Sequence, residues 1–221
     1  MKILLIAGHG AGDVGAVGNG CKEADLTREL VNLIEPKLKR YATVVKYNQK
    51  RNAFKDVNNG TFTIGKFDYA LEVHFNAFNG KARGTEIFVT DKEKGTGVES
   101  SIMAQMKKHF SVRGVKRKNF TVINTIKNKG ISSALLEVCF IDNAIDMKYY
   151  LKNKDRIAQS IVEGIVQGFG LKASSPVKSI DEIAREVIQG KWGIGTDRVN
   201  KLKAAGYDPK AVQARVNQLL K

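Results

Sequence analysis

Short apolar runs typical of strands alternate with longer amphipathic runs typical of helices over most of the chain. The first run, Lys2–Ala7, is apolar after its first residue, as expected for a strand buried on both faces of a parallel sheet. Further candidate strands cover residues 43–47, 69–75, 85–90, 120–125 and 134–139, and candidate helices cover 25–41, 98–110 and 157–169. Pro36 is expected to kink or divide the first helix. This alternation predicts an α/β domain with a mostly parallel twisted sheet flanked by helices.

The sequence changes character near residue 173. Residues 173–178 are small or polar and include a proline, which is typical of a linker. Residues 179–221 have no strand pattern but contain helix-start signals: a capping box at Ser179–Glu182 and an N-cap aspartate before an N1 proline at Asp208–Pro209. We therefore expect a main domain over residues 1–172, followed by a small three-helix module.

The chain is strongly basic. Its 221 residues carry a formal net charge of +15, of which +11 falls on residues 1–177 and +4 on residues 178–221. Such an excess indicates a polyanionic partner, which could be nucleic acid, anionic lipid or an acidic wall polymer. No run of about 18 apolar residues exists, so the sequence predicts no membrane-spanning helix. The basic run from Lys107 to Lys118 has no nucleic-acid-binding motif, and we interpret it as a solvated face or a wall-contact surface.

The N-terminal apolar run and the two cysteines indicate whether the protein is exported and whether its thiols are oxidised. Ile3–Ala7 is shorter than the apolar part of a signal peptide and continues into Gly8-His9-Gly10 with no cleavage pattern. We expect no export signal. Cys21 and Cys139 lack metal-ligand or disulfide-framework spacing, so reduced thiols are expected for both.

Four residues have the chemistry of a hydrolytic metal site. His9 follows the first strand, Glu23 lies near the start of the first long helix, and His74 lies near the end of the 69–75 strand. Ligands of α/β sheets gather at the carboxyl ends of strands. Two imidazoles and one carboxylate are a catalytic zinc set with a fourth position left for water. Glu137 lies within an apolar strand, where a carboxylate facing the metal could act as general base.

The motifs around these residues occur in a recognisable order. They are Ile6-Ala-Gly-His-Gly10, Gly20-Cys-Lys-Glu23, Val73-His-Phe-Asn-Ala77, Gly84-Thr-Glu86 and Leu135-Leu-Glu-Val-Cys-Phe-Ile-Asp-Asn143. Together they resemble the zinc-dependent N-acetylmuramoyl-L-alanine amidases of the amidase-3 family over residues 1–172. The tail resembles the Cpl-7-type cell-wall-binding repeat through Val187-Ile-Gln-Gly-Lys-Trp-Gly193, Arg198, Ala205-Gly-Tyr-Asp208 and Val212-Gln213. It departs from that repeat at Ile194, where a polar residue is more usual.

The resemblance implies roles and a setting. His9, Glu23 and His74 match the family's zinc ligands, and Glu137 matches its catalytic glutamate. The bond cleaved would be the amide between N-acetylmuramic acid and L-alanine of the peptidoglycan stem. An amidase joined to a wall-binding repeat without a signal peptide resembles a bacteriophage endolysin. Such a protein is made in the host cytoplasm and acts on the cell wall once released.

Other residues leave alternatives open. Asn76, Glu86, Trp192 and Arg198 are candidate substrate-binding residues. Asn76 could orient His74 or the substrate, or it could cap a turn. Glu86 could support the site or be an ordinary strand residue. Trp192 could pack in the core of the module, form a surface on which a sugar binds, or do both. Glu29 is a second carboxylate on the first helix but is expected to face solvent. His109 is expected to be an ordinary histidine outside the site.

Two other functions fit the same features. One is a different zinc peptidase of the cell wall, and the other is a non-catalytic wall-binding protein. The predicted partners are peptidoglycan and anionic wall polymers rather than nucleic acid, because the charge excess lies mainly on the presumed catalytic domain.

Overall fold

The computed structural model describes residues 1–173, 178–205 and 207–220, so most of the predicted linker, at 174–177, lies outside the described residues. The described chain divides into two units, Met1–Lys172 and Ala173–Lys221. In the first unit the strands are β1 (Lys2–Ala7), β2 (Val17–Gly18), β3 (Cys21–Lys22), β4 (Thr43–Lys46), β5 (Tyr69–Asn76), β6 (Thr85–Val89), β7 (Val112–Arg117) and β8 (Ser132–Phe140). Its helices are α1 (Glu23–Leu38), α2 (Ala53–Asn58), α3 (Gly97–Met106), α4 (Thr121–Asn128) and α5 (Ala144–Gly168).

The main sheet has six strands in the order β4-β1-β5-β8-β6-β7. Every neighbouring pair is parallel except β6 and β8, which are antiparallel, so the predicted mostly parallel α/β architecture is confirmed. One face packs on α1, α3 and α5 in the larger apolar core, which includes Leu30, Ile102 and Ile161. The other face packs on α2 and α4 through a smaller core that contains Ala53 and Ile126.

The prediction of a strand over residues 120–125 is wrong. These residues begin α4, because the apolar side chains of Val122, Ile123 and Ile126 recur at helical spacing and are buried on one face. The β-branched Thr121, Val122 and Ile123 suggested a strand, but burial against the sheet outweighs that local preference.

The basic run contains a strand that the sequence pattern did not predict. Val112–Arg117 pairs with β6 as the edge strand of the sheet, and Val115 packs against the larger core. Only part of the run is therefore a freely solvated face. Charged side chains on an edge strand are a common protection against aggregation, which explains why β7 lacks an apolar strand signature.

Pro36 lies in the last turn of α1 and does not divide the helix. It has no backbone N–H and so removes one helical hydrogen bond, but few residues of the helix follow it.

Both cysteines are free thiols. Cys139 is fully buried in the larger core, and Cys21 packs partly against that core.

The second unit contains three helices, α6 (Ile180–Ile188), α7 (Gly195–Ala204) and α8 (Pro209–Leu219). Ser179 and Glu182 form the predicted capping box, and Asp208 caps α8. Among the described residues of this unit, the small core contains six that are buried: Ile183, Ala184, Val187, Leu202, Val212 and Val216. Over the described residues of the chain, no helix is both long and apolar enough to cross a membrane.

The close contact between α3 and α5 is possible because Gly164 has no side chain. A Cβ added at Gly164 would lie 2.5 Å from Ile102 Cα, whereas one added at Gly97 would meet nothing within 4 Å. Alanine at position 164 gains up to about 1 kcal/mol in helix propensity. The clash with backbone should nevertheless cost roughly 1–3 kcal/mol, because the two helices must separate. We expect Gly164→Ala to lower the thermal unfolding midpoint and Gly97→Ala to leave it unchanged or raise it; equal midpoints would contradict this packing.

Candidate active site

The three predicted metal ligands lie together at one edge of the sheet. His9 follows β1, Glu23 is the first residue of α1, and His74 lies near the end of β5. One ligand atom from each residue lies within 4.8 Å of the others. His9 Nε2 is 3.0 Å from Glu23 Oε2, and His74 Nδ1 is 2.9 Å from Glu23 Oε1. These three residues could therefore bind one metal ion.

The remaining ring nitrogens are also held by carboxylates. His9 Nδ1 lies 2.9 Å from Asp13 Oδ2, and His74 Nε2 lies 3.2 Å from Glu72 Oε1. Sequence reasoning missed both acids. Glu72 could have been found from strand alternation, since it precedes His74 by two residues and so shares its face. Asp13 lies in a loop, and no sequence pattern singled it out.

The donor set of His9, Glu23 and His74 fits a zinc ion. Two imidazole nitrogens and one carboxylate oxygen are ligands that zinc takes in catalytic sites, where a fourth position stays open. Carboxylates on the outer ring nitrogens commonly orient such histidines. Asp13 and Glu72 occupy those positions and leave His9 Nε2 and His74 Nδ1 directed at the same space.

The backbone at His9 is held in an unusual conformation. Its φ of 61° lies in the left-handed region, which costs a residue with a Cβ of order 1 kcal/mol. Arg28 fixes the turn, because Nη1 donates to the Gly8 carbonyl at 3.0 Å and Nη2 donates to the His9 carbonyl at 2.8 Å. Thr27 donates a further hydrogen bond to the Gly8 carbonyl.

Hydrogen bonds in the cluster stabilise the charged forms of Glu23, His9 and His74, although burial opposes them. Burial opposes ionisation of Glu23, but the hydrogen bonds from His74 and His9 outweigh it and hold the pKa of Glu23 well below its usual range. Burial also opposes protonation of both imidazoles. Hydrogen bonds to carboxylates overcome this effect and raise the pKa of His9, and raise that of His74 well above its usual value.

Glu137 lies beside this cluster on the neighbouring strand. It is opposite His74 in the β5–β8 register. Its Oε2 atom is buried and has no hydrogen-bond partner among the described residues. Burial raises the pKa of Glu137 to about 7, although the nearby His74 opposes the shift. A carboxyl group in this state can accept or donate a proton near neutral pH.

One cavity contains these groups. It has a volume of about 350 Å³, and His9, His74 and Glu137 contribute to its polar wall. Its apolar wall includes the aromatic rings of Phe54 and Phe120. The metal-ligand cluster and the candidate base therefore open onto the same space, which can hold part of a substrate.

Asn76 and Glu86 lie next to the cluster, and their hydrogen bonds among the described residues go to groups other than its three metal-ligand candidates. Asn76 Nδ2 donates to Glu86 Oε1 at 2.7 Å, and Asn76 Oδ1 accepts from the Ala77 backbone. Glu86 is buried, and its other oxygen pairs with Arg113 and Lys116.

Glu29 and His109 lie elsewhere. Glu29 pairs with Lys154 on α5. His109 is within hydrogen-bond distance of Tyr149 and Ser160.

The second unit has its own cavity, of about 380 Å³, whose lining includes Arg198, Leu202 and Gln213. Trp192 is half-buried, and its Nε1 donates to Glu186 Oε2 at 3.0 Å. Its indole packs edge-on against Tyr207, at 6.0 Å between ring centroids. Trp192 thus contributes to the packing of the module, while Arg198 lines its cavity.

Comparison with known proteins decides the family. The family model described as N-acetylmuramoyl-L-alanine amidase matches residues 3–167, three quarters of the chain, and the CW_7 repeat model matches residues 181–220. The chain belongs to the N-acetylmuramoyl-L-alanine amidase family. The resemblance inferred from the sequence motifs is therefore confirmed for both parts.

Individual relatives agree with this assignment. A probable autolysin of Staphylococcus aureus is 27% identical over 93% of this chain, which spans about half (47%) of that protein. The endolysin of Bacillus phage SPP1 is 29% identical over 78% of this chain and 68% of its own length. The crystal structure of an N-acetylmuramoyl-L-alanine amidase from Clostridium difficile 630 covers 76% of this chain and 96% of its own, with a TM-score of 0.65 and 21% identity. That likeness supports the fold.

Removal of one ligand side chain should abolish high-affinity metal binding. We expect His74→Ala to lose stoichiometric zinc after dialysis, because the two remaining ligands cannot complete the site. His109→Ala is the matched control and should keep it, since His109 lies outside the cluster. Elemental analysis with far-UV circular dichroism separates metal loss from unfolding. Full zinc occupancy in folded His74→Ala would contradict the assignment.

Proposed function

We propose that the protein is a zinc-dependent peptidoglycan hydrolase that cleaves the amide between N-acetylmuramic acid and L-alanine of the stem peptide. Family membership supports the reaction class. The observation that carries the residue assignment is the buried, unpaired Oε2 of Glu137 in the cavity that also contains His9 and His74. A buried carboxylate without a partner is costly, and carboxyl groups whose pKa is raised by burial cluster at functional sites.

In this proposal His9, Glu23 and His74 hold the zinc ion. When bound, zinc supplies a Lewis acid that makes water acidic near neutral pH and polarises the scissile carbonyl. Asp13 and Glu72 orient the two imidazoles through their outer nitrogens.

Glu137 moves the proton. Its Oε2 accepts a proton from the attacking water as the water oxygen bonds to the lactyl carbonyl carbon. When the carbon–nitrogen bond breaks, the same carboxyl group returns the proton to the leaving amine of L-alanine. Burial of this carboxyl group raises its pKa, which favours return of the proton in the second step.

The three-helix unit is proposed to bind the cell wall. Its match to the CW_7 repeat supports this role, and Arg198 and Trp192 are the residues that we propose contact the glycan or peptide. The excess of basic residues on the amidase unit adds attraction to anionic wall polymers. The proposed place of action is the bacterial cell wall.

Loss of the general base should abolish turnover without loss of metal. We expect Glu137→Gln to bind zinc normally and to cleave purified peptidoglycan at least about 100-fold more slowly, a typical contribution of general acid–base catalysis. Glu163→Gln is a matched control on α5, at a partly exposed glutamate that pairs with Lys108 and does not line the cavity. Wild-type cleavage by Glu137→Gln would contradict the role of this carboxyl group.

The products of this digestion also decide between the possible functions. An amidase releases stem peptides with a new N-terminal L-alanine and no new reducing sugars, as mass analysis of the fragments would show. New termini inside the stem would instead indicate a peptidase. Binding without any cleavage would indicate a non-catalytic wall-binding protein.

Removal of the second unit should affect intact walls more than small substrates. We expect the fragment 1–173 to cleave soluble muropeptides at the full-length rate and to lyse intact cells more slowly. Tethering to the wall raises the effective concentration of the active site, and a small substrate gains nothing from it. Equal lysis by the fragment and by full-length protein, measured as loss of turbidity, would contradict a wall-binding role.

A further inference from the structure

Beyond Glu137, the same edge of the sheet carries two cations that share one carboxylate. Arg113 Nε donates to Glu86 Oε2 at 3.0 Å, and the Lys116 ammonium pairs with the same oxygen. Asn76 occupies the other oxygen of Glu86. Glu86 is therefore a buried anchor that fixes the position of both basic side chains.

A β-bulge directs Arg113 toward this anchor. The β6–β7 register passes from Thr85 opposite Val112 to Glu86 opposite Gly114, so Arg113 is the extra residue. Gly114 has a φ of 101°, which favours glycine. In regular alternation Arg113 would share a face with Val115, which packs into the larger core. The bulge instead places Arg113 on the side of Glu86, a role that bulges often have beside active sites.

The anchored cations are close to the proposed reaction centre. Glu86 lies directly opposite Glu137 in the antiparallel β6–β8 register. Side chains in such pairs have Cβ atoms about 5 Å apart and share one face of the sheet. The guanidinium of Arg113 also lies over the ring of Phe140, near the end of β8, at 5.1 Å from the ring centroid.

These two side chains remain able to bind an anion. About 40% of each is exposed, whereas the Glu86 side chain is 5% exposed. Over the described residues, the guanidinium of Arg113 donates only through Nε, which leaves both terminal nitrogens for a ligand. Arg113 and Lys116 together carry one positive charge more than is needed to balance the Glu86 carboxylate that they share. Arginine favours planar carboxylates, which it can bind through two parallel hydrogen bonds.

We propose that Arg113 and Lys116 form a subsite for the free carboxylate of the second stem-peptide residue, and so select stems in which this group is not amidated. The inference rests on the proposed amidase function. In a stem that begins L-alanyl-D-glutamate, the α-carboxylate lies five bonds from the scissile nitrogen, about 6 Å in an extended chain. That span is similar to the distance between the Cβ atoms of Glu137 and Glu86 on neighbouring strands, roughly 5 Å.

The test uses two soluble muropeptides that differ in one group. Both are N-acetylmuramoyl tripeptides; one has D-glutamate at the second position and the other has its α-amide, D-isoglutamine. We expect the zinc-loaded full-length protein to cleave the free acid with a kcat/KM at least about tenfold higher, mainly through a lower KM, because a charge-assisted contact is lost in the amide.

Variants test whether Arg113 produces this preference. Arg113→Gln should lose most of the preference, because it slows cleavage of the free acid far more than cleavage of the amide. Arg113→Lys, which keeps the charge, should retain part of the preference. Lys152→Gln on α5 removes the same charge at an exposed position and should match the wild type. Thermal unfolding midpoints check that each variant is folded.

The outcomes separate the subsite from the amidase function. Equal cleavage of both muropeptides by the wild type overturns the subsite and leaves the amidase function intact. A loss in Arg113→Gln that is equal for both substrates shows a structural role and also overturns it. Slower digestion of whole walls with an unchanged muropeptide preference indicates contact with another wall polyanion instead. If the protein cleaves neither muropeptide and does not cleave peptidoglycan, both proposals are overturned.

Discussion

The buried carboxylate of Glu23 joins the parts of the chain that make up the site. Its Oε1 accepts from the Phe75 backbone at 3.0 Å and lies beside His74, while its Oε2 accepts from the Ala16 backbone at 2.9 Å and lies beside His9. One side chain thus connects the end of β5, the loop after β1 and the start of α1. Its side chain is only 4% exposed, so each of these partners is needed to offset the cost of burial.

The strand order explains why distant residues meet at this carboxylate. The strands β1, β5 and β8 are adjacent and parallel, so their carboxyl ends lie at one edge. β6 is antiparallel to β8, which brings its amino-terminal end, with Glu86, to that same edge. β7 is parallel to β6 and therefore adds the bulge at Arg113 there as well. The single antiparallel pairing in the sheet, between β8 and β6, thus brings the basic side chains of the reversed strand β7 beside the acidic cluster.

Much of this arrangement could be predicted from sequence, for identifiable reasons. Lys2–Ala7 is a continuous apolar run, and the polar residues His9 and His74 lie at or near strand ends, where a parallel sheet collects ligands. The strand β7 was missed because an edge strand rich in cations has no apolar alternation. The helix α4 was mistaken for a strand because its β-branched residues obscured the helical spacing of Val122 and Ile126. The contacts of Asp13 with His9 and of Arg113 with Glu86 depend on a loop and on a bulge, neither of which has a periodic signature.

The balance of charge at the candidate metal site affects both the binding of a cation there and the stability of the fold. Four carboxyl groups, from Asp13, Glu23, Glu72 and Glu137, lie around two imidazoles in a partly buried space. The raised imidazole pKa values show that these carboxylates favour positive charge between them. A divalent cation satisfies the same electrostatic demand, and it binds the folded arrangement rather than the dispersed residues of an unfolded chain. Metal binding would therefore add to the free energy of unfolding, and the added stability would arise at the acidic cluster that could hold the ion.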